Sequence, residues 1–442
     1  MGREKEATGD ALPLRHVAAV VVGNALGFYD FVTYSFFAVY IGRAFFPAKS
    51  AGVSLLLSLV TFGLGFLTRP LGAVVIGGLG DRVGRKPAML LSFALMGVGI
   101  VGLALTPPYA AIGIAAPILV VTFRLLQGLA LGGEVGPTTA YMVEAAPPLR
   151  RGLYASMQAV SQDFAALVAG IIATSLASVL GAGALQDWGW RVTMLLGAAI
   201  IPFGLALRRS LPETLHAAHD AALAPDTAAL DPPPRARLEP YLLLIVLGLL
   251  ILTAGTIGNY ISNFMTTYAL TTLRMQATAA FGVLIVNGVF SVAFDYASGV
   301  LSDRFGRKPV MIVPGIVLFL SIVPAFLIIT SSRSAFALYA AMAWLSTMAA
   351  LSSGPVLVAL TETLPPSVRS GAVATVYAVA ISVFGGSAQP LVEWLLQRTR
   401  DPLIPAYYWS AALLVALVAM ALMKESAPAK VGVTGEIRNR LR

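Results

Sequence analysis

Gly80-Asp81-Arg82-Val83-Gly84-Arg85-Lys86-Pro87 returns later in the chain as Ser302-Asp303-Arg304-Phe305-Gly306-Arg307-Lys308-Pro309. The offset is 222 residues (303 − 81), about half of the 442-residue sequence. Each copy is a tight basic loop between two apolar runs. A second pair supports the first: Glu144, Pro147-Pro148 and Arg151-Gly152 reappear as Glu362, Pro365-Pro366, Arg369 and Gly371, 218 residues on (362 − 144). A repeat on this scale decides the architecture before any local reading does. The chain is two related halves.

Hydrophobic residues make up 57% and charged residues 12% of the sequence. A soluble domain carries roughly a quarter charged residues. This chain has too little polar surface to coat a soluble body, so its class is all-α integral membrane protein. A spanning helix needs about 20 apolar residues. Twelve runs qualify: 17–42, 52–79, 88–106, 111–143, 153–180, 189–207, 240–270, 280–301, 309–330, 334–362, 371–396 and 405–423. The longest are expected to tilt or kink rather than to hide further spans. The domain reading is then a six-helix bundle over 1–207, a polar linker over 208–239, a second six-helix bundle over 240–423 and a tail over 424–442.

Twelve spans place both termini on the side of the two basic loops. That side holds 21 of the Lys and Arg residues, the opposite side holds 7, and Arg69 and Arg124 lie within spans. The bias makes the first side cytoplasmic. It also accounts for the net charge of +9 without a nucleic-acid partner. There are no cysteines, hence no disulfide or thiolate metal site. The three histidines, His16, His216 and His219, lie outside the apolar runs. No metal motif, nucleophile–base set or phosphate-binding loop is visible, so neither an enzyme nor an ATP-driven pump is expected, and no cofactor.

Two Asp-Arg-x-Gly-Arg-Lys loops at matching places in a twelve-span chain resemble the signature of the major facilitator superfamily. Gly23-Asn24-Ala25-Leu26-Gly27-Phe28-Tyr29-Asp30-Phe31 and Phe45-Phe46-Pro47 resemble the first helix of its metabolite–proton symporters. So do Arg69-Pro70-Leu71-Gly72 and Arg124-Leu125-Leu126-Gln127-Gly128. Within that family the chain is similar to the citrate and tricarballylate carriers; other relatives carry dicarboxylates, shikimate or zwitterionic osmolytes. It departs from the family in having Gly27 where a glutamate is usual. The resemblance implies two bundles around a central cavity, with an organic-acid substrate bound near the midplane and the halves rocking about it. It implies a proton as coupling ion, with sodium as the alternative. The expected setting is the bacterial cytoplasmic membrane, where the chain is expected to work as a monomer in the lipid bilayer.

Charged groups within a bilayer cost about 2.5–3.5 kcal/mol each on insertion scales, which makes them functional candidates. Asp30 and Arg124 form the sharpest pair, and the resemblance implies that they face each other. An aspartate held by an arginine keeps its charge. A substrate carboxylate that competes for the arginine lets the aspartate take a proton, so proton and substrate binding favour each other. The alternative is a fixed ion pair that locks two helices. Arg69 reads better as a brace above the first basic loop than as a substrate ligand. Asp163 and Glu134 are further ion-coupling candidates, and Asp295 a gate or packing residue. Gln158 and Gln162 share a face of the fifth span with Asp163 nearby. Thr256, Asn259, Tyr260, Asn263 and Thr267 mark one polar face of the seventh span. With Asn287, Tyr29 and Gln389 these supply neutral hydrogen bonds to a bound acid, or else hold helices together. The resemblance pairs Arg85 with Glu144 and Arg307 with Glu362 as a cytoplasmic gate. Asp81 and Asp303 each suit a helix N-terminus.

Overall fold

The computed structural model describes residues 14–83, 85–132, 146, 148–202, 206, 241–364 and 366–431. Among these there are helices and no strand. Among the described residues nine helices are long and apolar enough to cross a membrane, and a bent pair, Asn24–Phe36 and Ala38–Phe45, supplies a tenth. The remaining two of the twelve expected runs are the helix Arg85–Leu105 and the sixth, which starts at Trp190 after a π-helical turn, Leu185–Gly189. The expected linker, 208–239, lies outside the described residues, as do Glu134 and Glu144.

Breaks in the longer runs have local causes. The tenth run stops at Ser353 and resumes at Val356, because Pro355 has no N–H to continue the ladder. The ninth, Arg307–Ser332, carries Pro314 and Pro324 and stays one helix. The first run bends by 67° at Phe37, where there is neither proline nor glycine. One turn before the bend, the Thr33 hydroxyl donates to the Tyr29 carbonyl at 2.6 Å, a back-bond that bends helices. Phe37 then packs on Phe281 of the second half, with ring centroids 4.9 Å apart.

The second basic loop is a single residue. The eighth helix, Ala277–Phe305, ends and the ninth begins around Gly306, whose φ of +106° suits only glycine. Three non-glycine residues also adopt positive φ, Arg274, Arg333 and Arg400, and the last two directly follow helices.

The fifth helix, Arg151–Val179, runs against the eighth along a glycine-lined seam between the halves. A Cβ on Gly299 would lie 2.4 Å from the Ser156 hydroxyl, one on Gly288 2.6 Å from Leu167 Cβ, and one on Gly170 2.7 Å from Leu284 Cβ. Small residues allow such backbone approach in a bilayer, where packing rather than hydrophobicity drives association. The second and eleventh spans meet in the same manner: a Cβ on Gly63 would lie 2.4 Å from the Gly386 carbonyl oxygen. Val74, Val179, Leu320 and Phe336 are among many large apolar side chains left exposed on the outside. Patches of that extent need a nonaqueous cover, and the bilayer provides it.

Candidate substrate and ion site

A cavity of about 200 Å³ lies between the halves. The fifth span contributes Gln158, Gln162 and Asp163 to its lining, the seventh Thr256, Asn259 and Tyr260. Asn287, Ser291 and Asp295 come from the eighth span, Ser346 from the tenth and Tyr377 from the eleventh. Among the described residues its lining contains no lysine, arginine or histidine. Asn287 accepts a hydrogen bond from Ser346 at 2.5 Å, and Asn263 donates to Asn259 at 3.0 Å.

Other sequence candidates sit behind this lining. Tyr29 donates to the Thr193 carbonyl at 2.9 Å, tying the first span to the sixth. Gln389 donates to the Tyr260 carbonyl at 3.1 Å and accepts from Ser35 at 2.8 Å, joining three spans. Ser291, Ser346 and Tyr377 were not singled out by sequence. The signal for Ser291 was present: Asn287, Ser291 and Asp295 recur every four residues, one face of a helix.

Arg124 and Arg69 converge behind Tyr260. Arg124 is wholly buried and its Nη1 donates to Gln127 at 2.8 Å. Its Nε and Nη2 find no partner among the described residues, nor do Nε and Nη2 of Arg69. The Phe31 ring is held between the two guanidinium groups, 4.3 Å from Arg69 and 4.6 Å from Arg124. Tyr34 and Phe62 pack on Arg124 and Phe66 on Arg69. Glycine crossings bring the arginines together: a Cβ on Gly128 would overlap the Gly65 carbonyl at 1.8 Å, and one on Gly132 the Arg69 carbonyl at 2.0 Å. Asp30, 1% exposed, also has an oxygen without a partner, and no ion pair joins it to Arg124 among the described residues. Asp30 and Arg124 act on each other as charges across a gap. Among the described residues the cluster thus holds two buried cations and one anion, with four N–H-bearing nitrogens unpaired. Unpaired buried donors cost about 1–3 kcal/mol each, more when charged, so an incoming anion is strongly favoured there. Tyr260 lines the cavity and packs edge-on against Phe66 at 5.4 Å, so it stands between the cavity and the arginines.

At the face of the basic loops, Arg307 grips Glu362 with two hydrogen bonds, at 3.0 and 3.2 Å, and Asp303 with a third at 2.7 Å. Asp303 also accepts from the backbone N–H groups of Gly152 and Leu153 at 2.8 and 2.9 Å. It thereby caps the fifth helix of the other half, where a carboxylate is favoured. Glu425 accepts from the N–H groups of Arg307 and Lys308, and Ser426 donates to Glu362 at 2.8 Å. Burial alone would push the Glu425 carboxyl up, but four backbone N–H donors hold it below the usual glutamate range. The side chains of Asp81 and Arg85 lie outside the described residues with Glu144. Glu362→Gln removes the charge that two Arg307 donors share. It is expected to speed thiol labelling of a cysteine introduced at the buried Ser298, one helical turn further in than Ser302, which itself accepts from Arg307 at 2.9 Å; labelling at the wild-type rate would refute a closing role.

The family model of the Major Facilitator Superfamily matches residues 20–390. The citrate-proton symporter of Salmonella typhi is 34% identical over 424 residues, covering 96% of each chain. The proline/betaine transporter of Escherichia coli (strain K12) is 28% identical over 419 residues, covering 93% of this chain and 83% of that one. Among solved structures, the crystal structure of D-xylose-proton symporter superposes with a TM-score of 0.73 at 18% identity, over 94% of this chain and 99% of that one. That likeness is one of fold.

Proposed function

Because the chain belongs to the major facilitator superfamily, as a multi-pass membrane transporter and not an enzyme, we propose that it imports an organic acid together with protons, with citrate or a related tricarboxylate as substrate. The observation that carries this reading is the pair of buried arginines with unpartnered donors beside a single carboxylate. A hydroxylated polycarboxylate offers anionic oxygens for the unpaired donors of Arg124 and Arg69, and hydroxyl and carboxylate groups for the amides of Gln158, Gln162, Asn259 and Asn287 that line the cavity. Tyr260 must swing aside to join the cavity to the arginines. Two cations do not neutralise a trivalent anion, so a bound proton must accompany it.

Asp30 is the proton carrier in this scheme. While no substrate is bound, Arg124 is the nearest counter-charge of Asp30. A substrate carboxylate on Arg124 takes that role, and Asp30 then binds a proton. The neutral cluster lets the two six-helix bundles rock, with the gate at Asp303, Arg307 and Glu362 parting as they do. The relative named as a citrate-proton symporter favours the proton over sodium. We place the carrier in the bacterial cytoplasmic membrane, termini inside, acting as a monomer.

One observation favours a second reading. The described residues lining the cavity include two carboxylates and no cation, with Tyr260 and Trp409 among the aromatic side chains. That suits a zwitterion such as a betaine, its carboxylate towards the arginines and its ammonium towards Asp163 and Asp295. Radiolabelled citrate and betaine, each offered to proteoliposomes with and without an imposed pH gradient, separate the two. Citrate is expected to accumulate, and only with the interior alkaline. Accumulation of betaine and not citrate would establish the second reading instead.

A further inference from the structure

Asp163 and Asp295 come from opposite halves and meet on the seam between the fifth and eighth helices. Both line the cavity, and their carboxyl groups approach within hydrogen-bonding reach of each other, with Ser291 also beside Asp163. Asp295 is 2% exposed, and its Oδ2 has no partner among the described residues. We propose that Asp163 and Asp295 hold one proton between them, a second proton site distinct from Asp30, and that this proton clasps the seam. The proposal rests on the reading of the protein as a carrier whose halves part.

An ionised carboxylate only accepts hydrogen bonds, so two carboxyl groups bond to each other only when one carries a proton. Among the described residues lining the cavity no cation is at hand to replace it. The other titratable groups lining the cavity are Tyr260 from the seventh span and Tyr377 from the eleventh; the first, ninth, tenth and twelfth spans contribute neutral side chains, and the fifth and eighth only this pair. Arg307 is committed to Asp303 and Glu362. It also lies beyond Asp303, which is eight residues from Asp295, roughly 12 Å along the helix.

The seam makes the proton consequential. On either side of the pair the helices touch through Gly299 and Gly288, close enough that a Cβ would overlap its neighbours. Two bare charges pressed together between such contacts repel strongly in a poorly screened interior. Release of the proton to water in the cavity therefore loosens the seam, and its return closes it. The step moves one proton between solvent and the carboxyl pair and makes or breaks no other bond.

The chain has no cysteine, so a spin-label pair is readily introduced. Leu149→Cys and Phe305→Cys place labels at exposed positions on either side of the seam, near the basic-loop face. Label separation is measured in the full chain, in lipid, without substrate and without sodium. The ratio of short to long separation is expected to fall about fivefold between about pH 5 and about pH 8. In Asp295→Asn the amide donates to Asp163 at any pH, so the short separation should persist throughout. Asp163→Asn provides the same test should the first variant fail to fold. A pH response unchanged in the Asn variants would overturn the proposal, as would closure at alkaline pH on adding sodium alone. No substrate enters this measurement, so its outcome is independent of whether the cargo is citrate or betaine.

Discussion

Asp30→Asn is expected to abolish uphill accumulation of citrate driven by a pH gradient, while exchange of labelled for unlabelled citrate down its gradient continues. Asparagine keeps the volume and can still hydrogen-bond, but it cannot take up and release a proton. Asp30 is buried in the first span with one oxygen unpartnered and Arg124 as its facing charge. Removing the carboxylate leaves two guanidinium groups unbalanced, so citrate binding is expected to persist or tighten. Loss of coupling without loss of exchange is the result that separates a carrier of protons from a brace. If Asp30→Asn still concentrates citrate with the wild-type dependence on pH, Asp30 is not the coupling site and serves only as a charge that orients Arg124.

Arg124→Lys and Arg69→Lys, made separately, are each expected to weaken citrate binding by about 1.5–3 kcal/mol, the usual worth of a hydrogen bond to a charged group. Lysine keeps the charge but presents a point rather than a planar fork, and it cannot stack on Phe31. The sequence left Arg69 as the less favoured ligand, and this substitution tests that ordering directly. If Arg69→Lys binds citrate as the wild type does, measured by calorimetry, and only melts earlier, Arg69 is a brace. If both variants bind as the wild type does, the arginine pair is not the anion site. Phe31→Ala adds a control: it removes the ring between the guanidinium groups and is expected to destabilise the fold even where binding survives.

The architecture was legible because a duplicated gene leaves a duplicated loop. Gly80–Pro87 and Ser302–Pro309 fixed the two halves, and apolar runs between them fixed the helices. Proline marked the break at Pro355, but the bend at Phe37 carries no such mark; it arises from a threonine back-bond and from packing on a residue 244 positions away (281 − 37). Polar stripes of period 3.6 are local and could be read from sequence, but of the seventh-span stripe only Thr256, Asn259 and Tyr260 are among the described cavity-lining residues, while Asn263 and Thr267 are not. They did not tell Asn259 from Gln389: in an apolar helix a polar side chain serves a cavity or a neighbouring helix equally well until the neighbour is known. The arginine pair was hidden for the same reason. Arg69 and Arg124 become neighbours only through the crossing at Gly65 and Gly128. Asp295, read as a gate or packing residue, likewise acquired its partner, Asp163, only when the halves came together.

Duplication supplied two glycine seams, one between the fifth and eighth spans and its counterpart between the second and eleventh. The copies have since diverged in one respect. The stretches equivalent to Asp295 and Asp163 in the counterpart seam, 73–77 (Ala-Val-Val-Ile-Gly) and 381–385 (Ile-Ser-Val-Phe-Gly), hold no acid. The counterpart seam does carry an acid, the buried Glu393, but about two to three turns from these stretches, where Gln397 bridges it to the Gly52 carbonyl of the second span; the mid-seam carboxyl pair belongs to the fifth–eighth edge. A symmetric body would swell evenly as protons leave it. If the proton shared by Asp163 and Asp295 clasps the seam as proposed, this one opens along the fifth–eighth edge and pivots on the other, so that broken symmetry turns a scalar quantity, proton activity, into a rotation with a fixed axis.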